Sequence, residues 1–228
     1  KPPVIAGFEI DALYRPSHRL SGDFYDFLRI DPERMGLLIG DVSGHGVDAA
    51  LVMTMVKKVI SIAGKTQLMP RDVLISANQM MGPDMGQGTF ASACYSVLNI
   101  KERTLRFACA GHNPVLVFNP ARGEKPIALR TDGIVLGIAT GNRLEKTLEE
   151  VELPLQTGDT VILYTDGVVE QPDAQGEMLQ LDGFMEIIQT TSGASAKKIV
   201  QEIDGAFTRF RGPTAQEDDV TVICMRVL

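Results

Sequence analysis

The chain has 228 residues, with 22 Lys and Arg against 29 Asp and Glu (a formal net charge of −7), and is 44% hydrophobic and 22% charged. This is the composition of a folded protein whose core needs no disulfide or metal staple, which excludes a disordered chain. The acidic balance argues against a nucleic-acid partner, which would need a basic face to neutralise phosphates.

Near the N-terminus Phe8, Ile10, Ala12 and Tyr14 alternate with Glu9, Asp11 and Arg15, the period of a strand. Phe24–Ile30 and Met35–Asp41 read as two strands joined by the turn Asp31-Pro32-Glu33-Arg34. Asp48–Ala63 reads as a helix ringed with apolar residues and therefore expected to be well buried. A second helix is expected over Pro70–Met81, with proline in its first turn, followed by a loop over Gly82–Gly88. Strands are then expected at Thr89–Asn99, Thr104–Cys109, Val115–Asn119, Glu150–Leu153 and Asp159–Thr165. Two helices fit Asp182–Thr191 and Ser195–Phe210, the second with Val200, Ile203, Phe207 and Phe210 as a core stripe, and a strand at Val220–Val227 follows. Helices in pairs argue against a doubly wound parallel sheet. Sheets packed on each other, with helix pairs on their outer faces, suit the order better.

Cys94, Cys109 and Cys224 are an odd set with no C-x-x-C spacing. They read as buried thiols in a reducing compartment rather than a disulfide framework or zinc site. The longest apolar run, 49–63, is broken by Lys57 and Lys58 and is too short for a bilayer, and no secretory leader opens the chain. No membrane insertion and a cytoplasmic location are expected. The opening Lys1-Pro2-Pro3 points to a linker remnant over 1–5, with 6–228 as a single domain, the C-terminal part of a longer regulatory protein.

The chemistry lies in aspartates beside glycines at strand ends: Ser21-Gly22-Asp23, Gly40-Asp41-Val42-Ser43-Gly44-His45-Gly46, Tyr164-Thr165-Asp166-Gly167 and Asp218-Asp219-Val220-Thr221. One such pair is an ordinary turn former. Four at apolar strand ends are a candidate cluster. Two carboxylates ~4 Å apart repel by roughly 4 kcal/mol at an effective dielectric near 20, so protonation or cations must compensate. Carboxylate-only ligands select hard ions, Mg²⁺ or Mn²⁺, and a water between two such ions can attack phosphorus in line.

These segments, with Ala110-Gly111-His112-Asn113-Pro114, resemble in order the SpoIIE/RsbU branch of the metal-dependent protein phosphatases, the protein phosphatase 2C superfamily. The resemblance spans residues 21 to 221. It implies an α+β fold, a β-sandwich of two mainly antiparallel sheets flanked by helix pairs in four layers (αββα). It implies a hydrolase with two Mn²⁺ or Mg²⁺ ions acting on phosphoserine or phosphothreonine of proteins. Asp41 would then bridge both ions, the Val42 carbonyl would hold one, and Asp166 and Asp218 the other, with Asp23 bound directly or through water. Asp219 stands where eukaryotic relatives usually have asparagine, and is expected behind the ligands or as a substitute for Asp218. Ser21 replaces a usual glycine, a tolerable change.

Arg19 is the candidate phosphate contact, out of strict register, with Arg15 as another option. His45 is the candidate general acid, weighed against a histidine packed in a tight turn. His112 is expected to pin the turn between two strands, and His18 to lie at the surface. Ser43 lacks the G-x-S-x-G context of a serine hydrolase.

The usual substrate of the branch is a phosphorylated STAS-domain anti-sigma-factor antagonist. Upstream sensor domains act through helices resembling Asp48–Ala63 and Pro70–Met81, and a homodimer is possible. The alternatives are a non-catalytic partner-binding module with the same fold and a hydrolase of small phosphoesters.

Overall fold

The computed structural model describes residues 1–228 except 83, 87, 121, 122, 124, 139–141 and 192. The chain divides into two compact units, His18–Pro114 with Arg130–Leu155, and Lys1–Ser17 with Val115–Leu129 and Gln156–Leu228.

The first unit is an antiparallel sheet in the order β2-β3-β4-β5-β8, formed by Phe24–Arg29, Arg34–Val42, Ala91–Asn99, Thr104–Ala110 and Val151–Pro154. Helices α1 (Val47–Ala63) and α2 (Pro70–Met81) cover it, and a short helix α3 (Arg143–Thr147) lies beside them. Alternation sets the register: Leu38, Ala93, Tyr95, Val97 and Ala108 share a core with Val56, Ile60, Val73, Leu74 and Ala77 of the two helices. Burying such side chains stabilises by about 1.5–3 kcal/mol each. Arg71 ties the start of α2 to α3 and the segment after it, through the carbonyls of Glu145 and Leu148 and the Glu150 carboxylate.

The expectation of an encircled, buried α1 is corrected. Ala49, Val56, Ile60 and Ala63 are buried on one stripe, while Val47, Leu51 and Ile62 on another are 62%, 66% and 44% exposed. One face of a helix meets its sheet; apolar residues elsewhere on the ring gain nothing from that contact.

The second unit is an antiparallel sheet in the order β1-β10-β9-β6-β7, from Phe8–Arg15, Val220–Val227, Thr160–Tyr164, Val115–Phe118 and Ile127–Leu129. Helices α4 (Gln180–Thr190) and α5 (Ala196–Arg211) cover it, burying Phe184, Ile188, Ile199, Ile203 and Phe207 against Leu116, Ile162, Val222 and Cys224. Ser195 caps α5 by accepting from the Lys198 N–H at 3.3 Å. Ile5, in the stretch expected as linker, is buried and accepts the Phe8 N–H at 3.1 Å.

The expected strands and four main helices are present within a residue or two. β7, α3 and a 3₁₀ turn at Asp166–Val168 are additions, all of five residues or fewer and too short to show a period. Two residues of the expected loop, Pro83 and Gln87, lie outside the described residues.

Candidate active site

In the first unit the carboxylates sit where β2 and β3 pair. Phe24 faces Gly40, so the residue before β2, Asp23, is carried to the β3 end that bears Asp41. The Val42 N–H donates to the Gly22 carbonyl at 3.2 Å. A side chain at position 22 has no room: its Cβ would lie 2.7 Å from the Val42 carbonyl oxygen and 2.9 Å from Asp41 Oδ1. Glycine is thus the condition for the Asp23 segment to lie on Asp41. Asp23 is buried and Asp41 half-buried. Ser21, at the usual glycine position, is buried and usefully so: its hydroxyl accepts the Asp23 N–H at 3.1 Å.

Beyond β3, Ser43 is engaged twice with Phe90, its N–H donating to the carbonyl at 2.9 Å and its Oγ accepting the N–H at 3.1 Å. That closes the nucleophile reading of Ser43. His45 is not packed into its turn but exposed, with its ring stacked on the exposed His18 at 6.2 Å between centroids. His112 hydrogen-bonds through Nδ1 to Ser92 Oγ at 2.8 Å, which joins the end of β5 to β4 rather than pinning the turn to the next strand. Ser92 is the register partner of Asp41, and no motif marks it.

In the second unit the chain leaves β9 through buried Thr165. Its N–H donates to the Thr221 carbonyl and its Oγ1 accepts the Thr221 N–H, each at 3.0 Å. This clamp sets the 3₁₀ turn of Asp166 against the residues that open β10. A Cβ on Gly167 would fall 2.0 Å from the Asp219 carbonyl oxygen and 3.3 Å from Asp218 Cβ. Burial pushes the Asp166 carboxyl up from the ordinary range, and the charges of Asp218 and Glu170 push it further.

Asp218 is exposed, and its Oδ1 accepts the Asp219 N–H at 2.7 Å. Buried Asp219 turns to Ser17, accepting from its N–H at 2.7 Å and its hydroxyl at 3.0 Å. These bonds anchor the loop. Two glutamines that the sequence reading passed over brace the same loop. Gln171, 2% exposed, donates to the Ala215 carbonyl at 3.0 Å and accepts the Glu217 N–H at 3.3 Å. Gln216 donates to the carbonyls of Arg15 and Asp218 at 2.7 and 2.8 Å.

The arginine candidates separate. Arg15 is engaged with Asp204 and Thr208, both at 2.9 Å, and lies over the Phe207 ring. Arg19 is exposed and ion-pairs with no described residue.

Among the described residues no three His, Cys, Asp or Glu side chains converge as a ready metal cage. The donors nevertheless suit a hard cation. The Asp166–Asp218 repulsion is relieved by positive charge, and carboxylate and carbonyl oxygens are the ligands Mg²⁺ and Mn²⁺ take.

A pair of antiparallel sheets, each with its helix pair and an aspartate–glycine corner, has the fold of the protein phosphatase 2C domains. The SiaA-PP2C domain of Pseudomonas aeruginosa superposes with a TM-score of 0.85 over 96% of this chain and 86% of its own, at 21% identity. The RsbU and RsbW domains of a Mycobacterium tuberculosis protein superpose with a TM-score of 0.84 over 99% and 61%, at 25% identity. Within that class, the family model "Stage II sporulation protein E (SpoIIE)" matches residues 31–228, and the chain belongs to that family. Phosphoserine phosphatase RsbU of Bacillus subtilis is 27% identical over 226 residues, 99% of this chain and 65% of that protein. The chain thus spans less than two thirds of RsbU. Among the described residues no helix is long and apolar enough to cross a membrane.

Proposed function

We propose that the chain is a metal-dependent phosphoserine/phosphothreonine protein phosphatase of bacterial signalling. The observation that carries this reading is the setting of the Asp166 turn against the Asp218 segment, so close that a Cβ on Gly167 would fall 3.3 Å from Asp218 Cβ. Membership of the SpoIIE family and the likeness to RsbU support it.

Asp41, the Val42 carbonyl and, directly or through water, Asp23 would hold Mn²⁺ or Mg²⁺ at the first corner, and Asp166 and Asp218 would hold it at the second. When bound, the ions supply a hydroxide near neutral pH and neutralise phosphate charge. Ser21 and Gly22 hold Asp23 in place, and Thr165, Gln171 and Gln216 do the same for the Asp166 and Asp218 segments. Arg19, exposed and ion-paired with no described residue, meets the substrate phosphate; exposed His45 lies outside the ligand set as the candidate general acid.

The substrate is a phosphorylated STAS-domain anti-sigma-factor antagonist in the cytoplasm. An upstream sensor domain in the same polypeptide, acting in a homodimer, governs the activity. RsbU is longer than this chain, which leaves room for such a domain.

The test is phosphate release from a phosphoserine-bearing STAS-domain protein, with Mn²⁺, with Mg²⁺ and with excess chelator. Release that requires metal is expected. Equal release in chelator removes the metal role. Metal binding without release from any phosphoester favours the non-catalytic module, and release from p-nitrophenyl phosphate alone favours a small-ester hydrolase.

A further inference from the structure

Cys94 on β4 and Cys109 on β5 are register partners across an antiparallel ladder. The Cys109 N–H donates away from β4, to Thr131 Oγ1 at 3.0 Å, and its carbonyl oxygen is 2.4 Å from where a Cβ on Gly133 would stand. Both backbone groups of Cys109 therefore face the opposite side of β5. The pair occupies a site without mutual backbone hydrogen bonds, where opposed Cα atoms approach to about 4.5 Å and side chains are closest. That is within the separation a disulfide spans, roughly 4.4–6.8 Å.

As register partners the two cysteines put their side chains on one face of the sheet. Cys94 Sγ lies 3.8 Å from Ser96 Oγ, and the Cys109 thiol donates to the Asn113 carbonyl at 3.8 Å. The neighbouring Cys94 holds the Cys109 thiol below the usual range against the effect of burial, and Cys109, then burial, pushes Cys94 well up. Cys224 supplies the contrast: equally buried, it faces Asp11 and Ile162 across its two ladders and has no opposed thiol.

We infer that Cys94 and Cys109 form a redox pair, oxidised by a hydroperoxide to a cross-strand disulfide and returned to thiols by a thiol reductant. The Cys109 thiolate attacks the peroxide, its S–O bond forming as the O–O bond breaks, and an alcohol or water leaves. The Cys94 sulfur then displaces the sulfenic oxygen as water, forming S–S. Two electrons pass from the sulfurs to the peroxide and both thiol protons end on oxygen, so the sum is two thiols and ROOH to disulfide, ROH and water. With Cys94 at 0% and Cys109 at 2% exposure, the oxidant must be as small as a hydroperoxide. The bond would staple β4 to β5 two residues, about 7 Å, from Ser92, the register partner of Asp41. The pairing does not depend on the phosphatase reading.

The experiment treats the folded chain with hydrogen peroxide, alkylates it under denaturing conditions and maps tryptic peptides by mass. Lys101, Arg103 and Arg106 separate the two cysteines, so a bond appears as two joined peptides lighter by two hydrogens. The expected result is that joined pair, an alkylated Cys224, and full reversal by dithiothreitol. In Cys94→Ala the Cys109 sulfenic acid should instead persist and be trapped by dimedone. Three alkylated thiols after exhaustive peroxide would overturn the inference. So would wild-type Cys109 carrying oxygen beside a free Cys94, or a bond to Cys224. The wild-type measurement stands whether or not the variant folds.

Discussion

The two aspartate corners are built on one plan by different means. In each, an apolar strand ends in aspartate and a glycine lets a second acidic segment come to rest against it. At Asp23 and Asp41 the parts are adjacent strands, and the β2–β3 ladder itself fixes Gly22 on Val42. At Asp166 and Asp218 the parts are a 3₁₀ turn and a loop, held by side chains: Thr165 on Thr221, Gln171 on Ala215 and Glu217, Asp219 on Ser17. A corner made by the backbone tolerates side-chain changes nearby. A corner made by side chains can be loosened one bond at a time.

The largest expected effect is at the proposed metal ligands. Asp41→Asn and Asp166→Asn should each lower phosphate release at least about a hundredfold, since even residues behind metal ligands are worth 10- to 100-fold. Asp166→Asn should also separate the corners by stability. A carboxyl raised in the native state favours folding below its unfolded pKa, and that contribution is lost as pH rises through the raised native value. The metal-free variant should therefore melt above metal-free wild type at neutral pH, the gap closing in acid below the ordinary carboxylate range. Melting curves across pH, in chelator, check both statements.

Next come the glycines. Gly167→Ala meets a backbone oxygen at 2.0 Å and Gly22→Ala one at 2.7 Å. Overpacking costs roughly 1–3 kcal/mol, and Gly167→Ala should lie at the upper end with Gly22→Ala below it, read from urea midpoints. The reverse order would show the loop corner to be the more yielding to added volume.

Gln171→Ala removes bonds worth about 1 kcal/mol each. It should weaken Mn²⁺ binding about tenfold while the protein stays folded. An unchanged affinity would mean that the Asp218 loop holds its shape without the brace.

The sequence made the strands and both aspartate corners legible because an apolar run closed by Asp and Gly is a local pattern. Gln171 and Gln216 were not legible, since a polar loop residue carries no periodicity and its partners are distant in the chain. Asp219 could be placed beside Asp218 but not assigned, because its role depends on Ser17, brought in by β1. The exposed stripe of α1 was misread because periodicity shows which residues are apolar, not which face meets the sheet. Cys94 and Cys109 became a pair only once the β4–β5 register was known.

The smallest effects should fall on the exposed candidates. A general acid contributes roughly 10²- to 10⁴-fold, whereas His45, stacked on His18 at the surface, should lose less than about tenfold on His45→Ala. Arg19→Ala should act mainly on KM. A hundredfold fall in kcat for His45→Ala with metal binding intact would make it the general acid.

The central claim is that both corners are metal ligands, and calorimetric titration of Mn²⁺ into wild type, Asp41→Asn and Asp166→Asn tests it most directly. The account predicts saturable binding in wild type and weakening of at least about tenfold in each variant, one from either corner. Wild-type affinity and stoichiometry in both variants, with their folding intact, would contradict it.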